Sequence, residues 1–327
     1  MIEAYLIIGF LVAFVSTYLV TPQVIKKAKK YGFIGKDVHK QDKPEVAEMG
    51  GLAIILGFCL GVFFFIGLTV FEQDLQLELT PLLATVSSVL LVCIIGIMDD
   101  LFKIRWRTKI FLPVIAAIPL MALRIGNTVM TIPFIGQVEL GLLYILLLVP
   151  LAVTGAANAV NMVAGYNGLE TSLSSIILAS LLVVSLSNNS IHTSILLISM
   201  LGALLAFLRY NWYPAKVFPG DTGTLQIGAV IAASVIIGNM EKIGLLLFTI
   251  YFINFALLLT RVVKKTPRAK FAKVNEEGII ESPYPYTIYF LIPKLMKVTE
   301  TKLVTILILL QVLVSAATLG LHFYGVI

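Results

Sequence analysis

The residues of this chain that could do chemistry fall in five short polar clusters. Asp99 and Asp100 stand together at the end of an apolar run, and Lys103, Arg105, Trp106, Arg107 and Lys109 follow directly. Adjacent carboxylates are costly to desolvate unless cations compensate them. The group therefore reads as an acid pair beside phosphate-binding cations, and on a continuing helix Asp99 and Lys103 would share a face. The basic residues also suit a plainer task, a charged helix end that snorkels and fixes topology, but paired acids have no part in that. In the second cluster, Asn158 to Glu170, Asn158 and Asn161 lie on one helical face, and Gly165 and Asn167-Gly168 allow tight turns near a ligand. Amide oxygens can ligate Mg2+ or read a nucleobase; the plainer reading is a polar helix end with an Asn-Gly turn. The third cluster, Arg209 to Gly223, is stiffened by aromatics and Pro and contains Phe218 and Asp221. Asp221 suits either a helix N-cap or a divalent cation held by substrate phosphates, and Phe218 suits a base stack or an interfacial anchor. The fourth, Thr266-Pro267-Arg268-Ala269-Lys270, offers an arginine clamp on phosphate or a basic anchor to anionic lipid. The fifth carries Glu48 ahead of Met49-Gly50-Gly51, where paired glycines permit close backbone approach or a flexible joint.

The elements that must hold these clusters are membrane helices. Of the 327 residues, 59% are hydrophobic and only 13% charged, against about 25% charged in a soluble domain, and the mean hydropathy is +0.98. So little charge cannot cover a water-facing surface, which excludes a soluble enzyme, a disordered chain and a coiled coil. A bilayer core about 30 Å thick needs about 20 apolar residues per helix. Ten candidate spans approach this, several of them shorter than ideal, at about 3–22, 50–71, 81–98, 110–125, 140–157, 172–187, 193–208, 224–238, 243–262 and 302–325. The fourth carries Pro113 and Pro119, which predicts a kink. The first is not a cleavable signal, because its basic run follows the apolar stretch instead of preceding it. No internal repeat is evident, which argues against the duplicated transporter folds. Cys59 and Cys93 form no CxxC pair, and His39, His192 and His322 lie in three separate regions, unsuited to a His-based metal site. In so apolar a chain the net charge of +6 reports a cationic membrane-facing side and not a nucleic-acid partner.

Charge also orients the spans. With residues 23–49 placed inside, all but Arg124 and Lys242 of the 24 Lys and Arg residues fall on the inner side, a strong instance of the positive-inside bias. The outer loop 72–80 is instead acidic, with Glu72, Asp74 and Glu78. Every polar cluster then sits at the inner end of a span. The expectation is an all-α polytopic integral membrane protein of about ten transmembrane helices, a single domain over residues 1–327. One cytoplasmic-face active site would be built from inner loops at about 23–49, 99–109, 158–171, 209–223 and 261–301.

The order of the clusters carries a resemblance. The run Glu48-Met49-Gly50-Gly51, Asp99-Asp100 with Arg105-Trp106-Arg107-x-Lys109, Asn161 to Glu170, Asn211 to Thr222 and Pro267-Arg268-x-Lys270 is similar, over nearly the whole chain, to the polyprenyl-phosphate N-acetylhexosamine-1-phosphate transferases. Within them it most resembles the dolichyl-phosphate GlcNAc-1-phosphate transferase branch. The resemblance implies ten membrane helices, a cytosolic active site, Mg2+ with Mn2+ as a substitute, and transfer of GlcNAc-1-phosphate from UDP-GlcNAc to a polyprenyl or dolichyl phosphate with release of UMP. It implies that Asn161 and Asp221 hold the metal, that Asp99 and Asp100 sit at the lipid-phosphate side, and that Lys109 and Arg268 contact phosphates. Gly165, Asn167 and Phe218 would line a uridine pocket, Trp106 and the loop from Arg268 to Lys270 would lie near the sugar, and Glu48 belongs with the substrate-binding set. The implied partners are the two substrates and membrane lipid, without nucleic acid, and a homodimer is compatible with them. One departure stands out. The branch usually shows Pro-Arg-His-Arg, whereas here Ala269 and Lys270 take the last two places, and Lys lacks the bidentate fork of Arg. Two competing readings remain. A transporter or flippase of a phosphorylated substrate would place acids near mid-membrane, and a family member using another UDP-N-acetylhexosamine for cell-wall polymer synthesis would keep the same site.

Overall fold

The computed structural model describes residues 2–72, 77–132, 136–267 and 271–326. The long apolar runs fold as helices because a backbone in lipid must satisfy its own hydrogen bonds. These are α1 (Ile2–Tyr31), α2 (Gly51–Phe71), α3 (Leu79–Phe102), α7 (Val149–Val163), α8 (Leu169–Ser187), α9 (Ile191–Asn211), α10 (Gly220–Ile237) and α14 (Glu300–Phe323). Between them lie the short helices α4 (Trp106–Phe111), α5 (Pro113–Ala116), α6 (Ile118–Ala122), α11 (Glu241–Leu247), α12 (Thr249–Val263) and α13 (Ile288–Leu295). Three antiparallel hairpins punctuate the loops: β1 (Ile34–Lys36) with β2 (Glu45–Ala47), β3 (Val129–Ile132) with β4 (Gly136–Glu139), and β5 (Lys273–Val274) with β6 (Ile280–Glu281).

Among the described residues eight helices are long and apolar enough to cross a membrane, or nine if α11 and α12, bent by 60°, form one span. The chain is thus a multi-pass helical membrane protein, with a span count that departs from the expected ten at residues 110–125. There Pro113 opens one new helix and Pro119 sits in the first turn of another, so the stretch becomes α4, α5 and α6 instead of one rod. Pro150 has a milder effect. It lacks the N–H that would continue an α-helical ladder, and the five residues before α7, Tyr144–Leu148, wind as a π-helix. At the α11–α12 bend the Thr249 hydroxyl donates to the Leu246 carbonyl at 2.5 Å, a back-bond of the kind that bends helices.

The centre of the bundle is α10. In its membrane-length window 78% of residues are buried, against 28% for α1, which faces outward. Helices α2 and α3 approach it closely at glycines. A Cβ on Gly51 would lie 2.3 Å from the Gly223 nitrogen, and one on Gly96 would lie 2.5 Å from Thr222 Cα. Small residues let backbones meet where lipid supplies no hydrophobic drive. These contacts fall on the first turn of α10, and so fix where Asp221 sits relative to the end of α3.

Candidate functional site

The acid pair closes α3, and the helix stops there. Lys103 adopts a left-handed conformation, φ 53°, and its N–H returns to the Asp99 carbonyl at 2.8 Å, an αL termination. Lys103 therefore does not share a helical face with Asp99, because the helix does not continue. The reversal brings α4 back over the end of α3, and Lys109 Nζ reaches Asp99 Oδ2 at 2.7 Å. The same ammonium pairs with Asp221, which also accepts from the Asn161 side-chain amide at the end of α7. Three helices and a short return helix thus deliver Asp99, Lys109, Asn161 and Asp221 to one point. Burial alone would lower the Lys109 ammonium, but Asp221 and Asp99 hold it above its ordinary value. The cation therefore persists throughout the neutral range. Asp221 is the most open of the three charged groups, with 24% of its side chain exposed against 19% for Lys109 and 8% for Asp99.

Asp100 has a different position. One carboxylate oxygen accepts from the Asp221 N–H at 2.9 Å, and the other from the Thr222 N–H at 3.1 Å and the Thr222 hydroxyl at 2.6 Å. It caps the N-terminus of α10 from a neighbouring helix, where free N–H groups and the helix dipole favour an anion. Both its oxygens are committed to this task, so the structure sets Asp100 apart from Asp99 and behind Asp221. Asp100→Ala is expected to cost about 1–2 kcal/mol, in the range of a lost cap, and to lower turnover because the Asp221 backbone loses its anchor. Thermal unfolding measured beside UMP release checks this, and an unchanged melting point excludes the cap. Asn158 is likewise structural, its amide donating to the Ile110 and Thr154 carbonyls.

A second polar cluster lies at the turn between α7 and α8. Gly165 has φ +139°, and nothing lies within 4 Å of where its Cβ would be. Asn167 is buried, and its amide and N–H are engaged by Asp37, Lys40, Glu300 and the Ala215 N–H. Beside it the Tyr166 ring stacks on His39 at 4.1 Å. Phe218 is half-buried; its N–H donates to the Ala47 carbonyl at 2.8 Å and its carbonyl accepts from Gly50 at 2.9 Å, which ties residues 212–219 to the first loop. Glu48, also half-buried, lies over Gly35 of β1. The structure thus assembles Asp99, Asn161, Asp221 and Lys109 in one group, and places Gly165, Asn167, Phe218 and Glu48 on the adjoining loops. The Trp106 side chain, Arg268 and Lys270 lie outside the described residues.

Sequence reading missed Asp37, Lys40 and Glu300. The first two were hidden in a loop read for its charge, and Glu300 looked like the approach to the last span. Asp37, His39 and Glu300 present potential ligand atoms within 4.8 Å of one another. Lys40 Nζ, however, lies 2.6 Å from Asp37 and 2.9 Å from Glu300 and already supplies the cation, so the group is an ion-pair network. Burial pushes the His39 imidazole down to about 4, with Asp37 opposing the shift. The unfolded chain then takes up the proton first, so this contribution is full above about pH 6.5 and is lost as pH falls toward 4, at up to about 3 kcal/mol. His39→Phe keeps the ring and should flatten that acid loss. Melting points near neutrality and at about pH 5 check it, and equal acid sensitivity of the two proteins excludes His39 as the cause.

A polytopic membrane protein that gathers acids, a lysine and an amide at the ends of its helices is built for polar chemistry beside a bilayer. The sequence pattern of glycosyl transferase family 4 matches residues 82–239, the stretch that supplies Asp99, Lys109, Asn161 and Asp221. A Saccharolobus solfataricus protein is 35% identical over 92% of this chain and 92% of its own, and is provisionally named a UDP-N-acetylglucosamine–dolichyl-phosphate N-acetylglucosaminephosphotransferase. Proteins named as that enzyme in Schizosaccharomyces pombe and Saccharomyces cerevisiae are 30% and 31% identical, covering 83% and 84% of this chain and 71% and 72% of theirs. This chain belongs to glycosyl transferase family 4.

Proposed function

We propose that the protein transfers GlcNAc-1-phosphate from UDP-GlcNAc to a polyprenyl phosphate of the dolichyl type. The products are GlcNAc-diphosphate-lipid and UMP, and the step would initiate lipid-linked oligosaccharide synthesis for N-glycosylation. The observation that carries this is the meeting of Asp99, Lys109, Asn161 and Asp221 at one point, in a chain similar along most of its length to enzymes so named. The site lies on the cytoplasmic face in this reading, supported by the concentration of Lys and Arg in the loops that build it.

The reaction joins two anions. A lipid-phosphate oxygen attacks the β-phosphorus, the bond to the bridging oxygen breaks, and that oxygen leaves with UMP. The carboxylate of Asp221 and the amide oxygen of Asn161 are hard donors of the kind Mg2+ takes; both Asp221 oxygens are engaged here, by Lys109 and by the Asn161 amide N–H, so an ion held by these two residues would take the place of those contacts. When bound there, the ion would neutralise charge on the diphosphate. Lys109 holds a fixed positive charge beside the same point and needs no reorganisation as charge shifts onto the leaving group. Asp99, within reach of Lys109, takes the proton of the lipid monophosphate. Confinement of the lipid to the bilayer brings its head group to the helix ends, so positioning supplies much of the rate.

The test is UMP release by the purified protein given UDP-GlcNAc, dolichyl phosphate and Mg2+. Release that requires the lipid is the expected result. Lipid movement without UMP would make the protein a flippase, and release only with another UDP-amino sugar would move it to a cell-wall role.

A further inference from the structure

On the surface of the bundle α1 and α9 leave a groove of about 420 Å3 between them. Phe14, Tyr18, Leu205, Leu208, Arg209 and Trp212 line it. It lies at the same end of the bundle as the ionic centre, because residues 212–219 lead from the end of α9 directly to α10 and Asp221. Pro22 explains how its walls are held. A proline inside α1 offers no N–H to the Tyr18 carbonyl four residues back. That carbonyl accepts instead from the Tyr210 hydroxyl of α9 at 3.1 Å, and the two tyrosine rings lie 5.5 Å apart. Phe14 stacks on Tyr18 one turn deeper, with ring centres 6.2 Å apart. These contacts set the spacing of the two helices and hence the width of the groove.

The lining matches a charged membrane lipid part by part. Arg209 is exposed, and no carboxylate pairs with it among the described residues. The chain after α9 turns back so that the Lys216 N–H donates to the Tyr210 carbonyl at 2.8 Å, which brings a second exposed cation to the same helix end. Tyr and Trp rings settle at the head-group level of a bilayer, and a cation at that level meets lipid phosphate. A guanidinium suits this contact, since its fork grips two phosphate oxygens at once. Phe14, Leu205 and Leu208 supply an apolar floor for hydrocarbon. We propose that the groove is a binding site for an anionic phospholipid of the leaflet that borders the ionic centre, with the head-group phosphate on Arg209 and one hydrocarbon chain between α1 and α9. Trp212 carries the effect inward. A Cβ on Gly168 would lie 2.9 Å from Trp212 Cε3, so the indole is packed on the α7–α8 turn, and Asn167 of that turn accepts from the Ala215 N–H at 2.8 Å. A lipid on the same indole therefore braces the segment 212–215 against the turn.

The experiment is quenching of Trp212 fluorescence by lipids with brominated chains, in the full-length protein in vesicles. Trp106, the second of the two tryptophans, is replaced by Phe as the common background. Brominated phosphatidylglycerol should reach half-maximal quenching at a mole fraction at least about fivefold below brominated phosphatidylcholine, the weight of one basic side chain beside an anionic surface. Arg209→Gln should remove about that factor, and Arg209→Lys should keep most of it. Leu205→Phe, which narrows the apolar floor, should weaken quenching by both lipids and leave their ratio unchanged. The melting point should rise with phosphatidylglycerol in the background protein, and less in Arg209→Gln, because only the folded chain has the groove. Raising salt from about 0.1 M to about 1 M shortens the screening length from about 10 Å to about 3 Å. It should shrink the preference without any substitution at Arg209, which serves if those variants fail to insert. Equal quenching by the two lipids would make the groove ordinary bilayer contact and overturn the proposal. So would an unchanged preference in a folded Arg209→Gln protein. Displacement of the brominated phospholipid by dolichyl phosphate at equal mole fraction would also overturn it, by giving the groove to a polyprenyl lipid.

Discussion

Asp221→Asn is expected to lower turnover by about 10²–10³-fold, the loss typical of removing one preorganised charge at a phosphoryl or acyl centre, while leaving a folded protein. The substitution keeps the shape of the side chain and removes its charge. Lys109 retains Asp99 at 2.7 Å, so no buried cation is stranded, and the backbone at 221 is still held by Asp100. Stability should therefore change little. If Asp221 is the main cation ligand, the variant also needs far more Mg2+ to reach its residual rate. The measurement is UMP release across a Mg2+ titration, with a melting curve as control. Near-normal turnover at ordinary Mg2+ would remove Asp221 from the reaction.

Lys109→Met should be as severe in rate and worse in stability. Lys109 is the cation shared by Asp99 and Asp221, and all three side chains are less than a quarter exposed. Removing one partner of a part-buried ion pair leaves uncompensated charge and costs about 3–5 kcal/mol when burial is complete, so somewhat less is expected here. Turnover should fall about 10²–10³-fold with it. Lys109→Arg keeps the charge and should recover the melting point more fully than the rate, because a guanidinium cannot sit as a compact point charge between two carboxylates. Equal loss of rate and stability in both variants would reduce Lys109 to a structural cross-link.

The spans could be read from the sequence because hydropathy acts locally. A run of apolar residues must become a helix in lipid wherever the rest of the chain goes, and Pro113 and Pro119 marked the break in the fourth by the same local logic. The chemical residues were readable as types, since acids, amides and cations at the ends of apolar helices are too costly to be incidental. Their partners were not readable. Asp99 and Asp100 are neighbours with opposite surroundings, and only the abutment of α10 on α3, made at Gly96, shows that Asp100 faces the first turn of α10. Lys103 was nearer in sequence to Asp99 than Lys109, but a left-handed turn at 103 reverses the chain and hands the ion pair to the later residue. The Lys40 contact with Glu300 spans 260 positions, and nothing within either segment announces the other.

That last contact has a consequence for biosynthesis. Asp99, Lys109, Asn161 and Asp221 all precede residue 222, so their meeting can be complete while the later helices are still being made. The wall around Asn167 cannot close until Glu300 has emerged and the final helix has been inserted. A chain cut short before that helix would carry a finished ionic centre beside an unfinished network around Asn167. Assembly of these segments is thus registered where α14 meets the loop that follows α1.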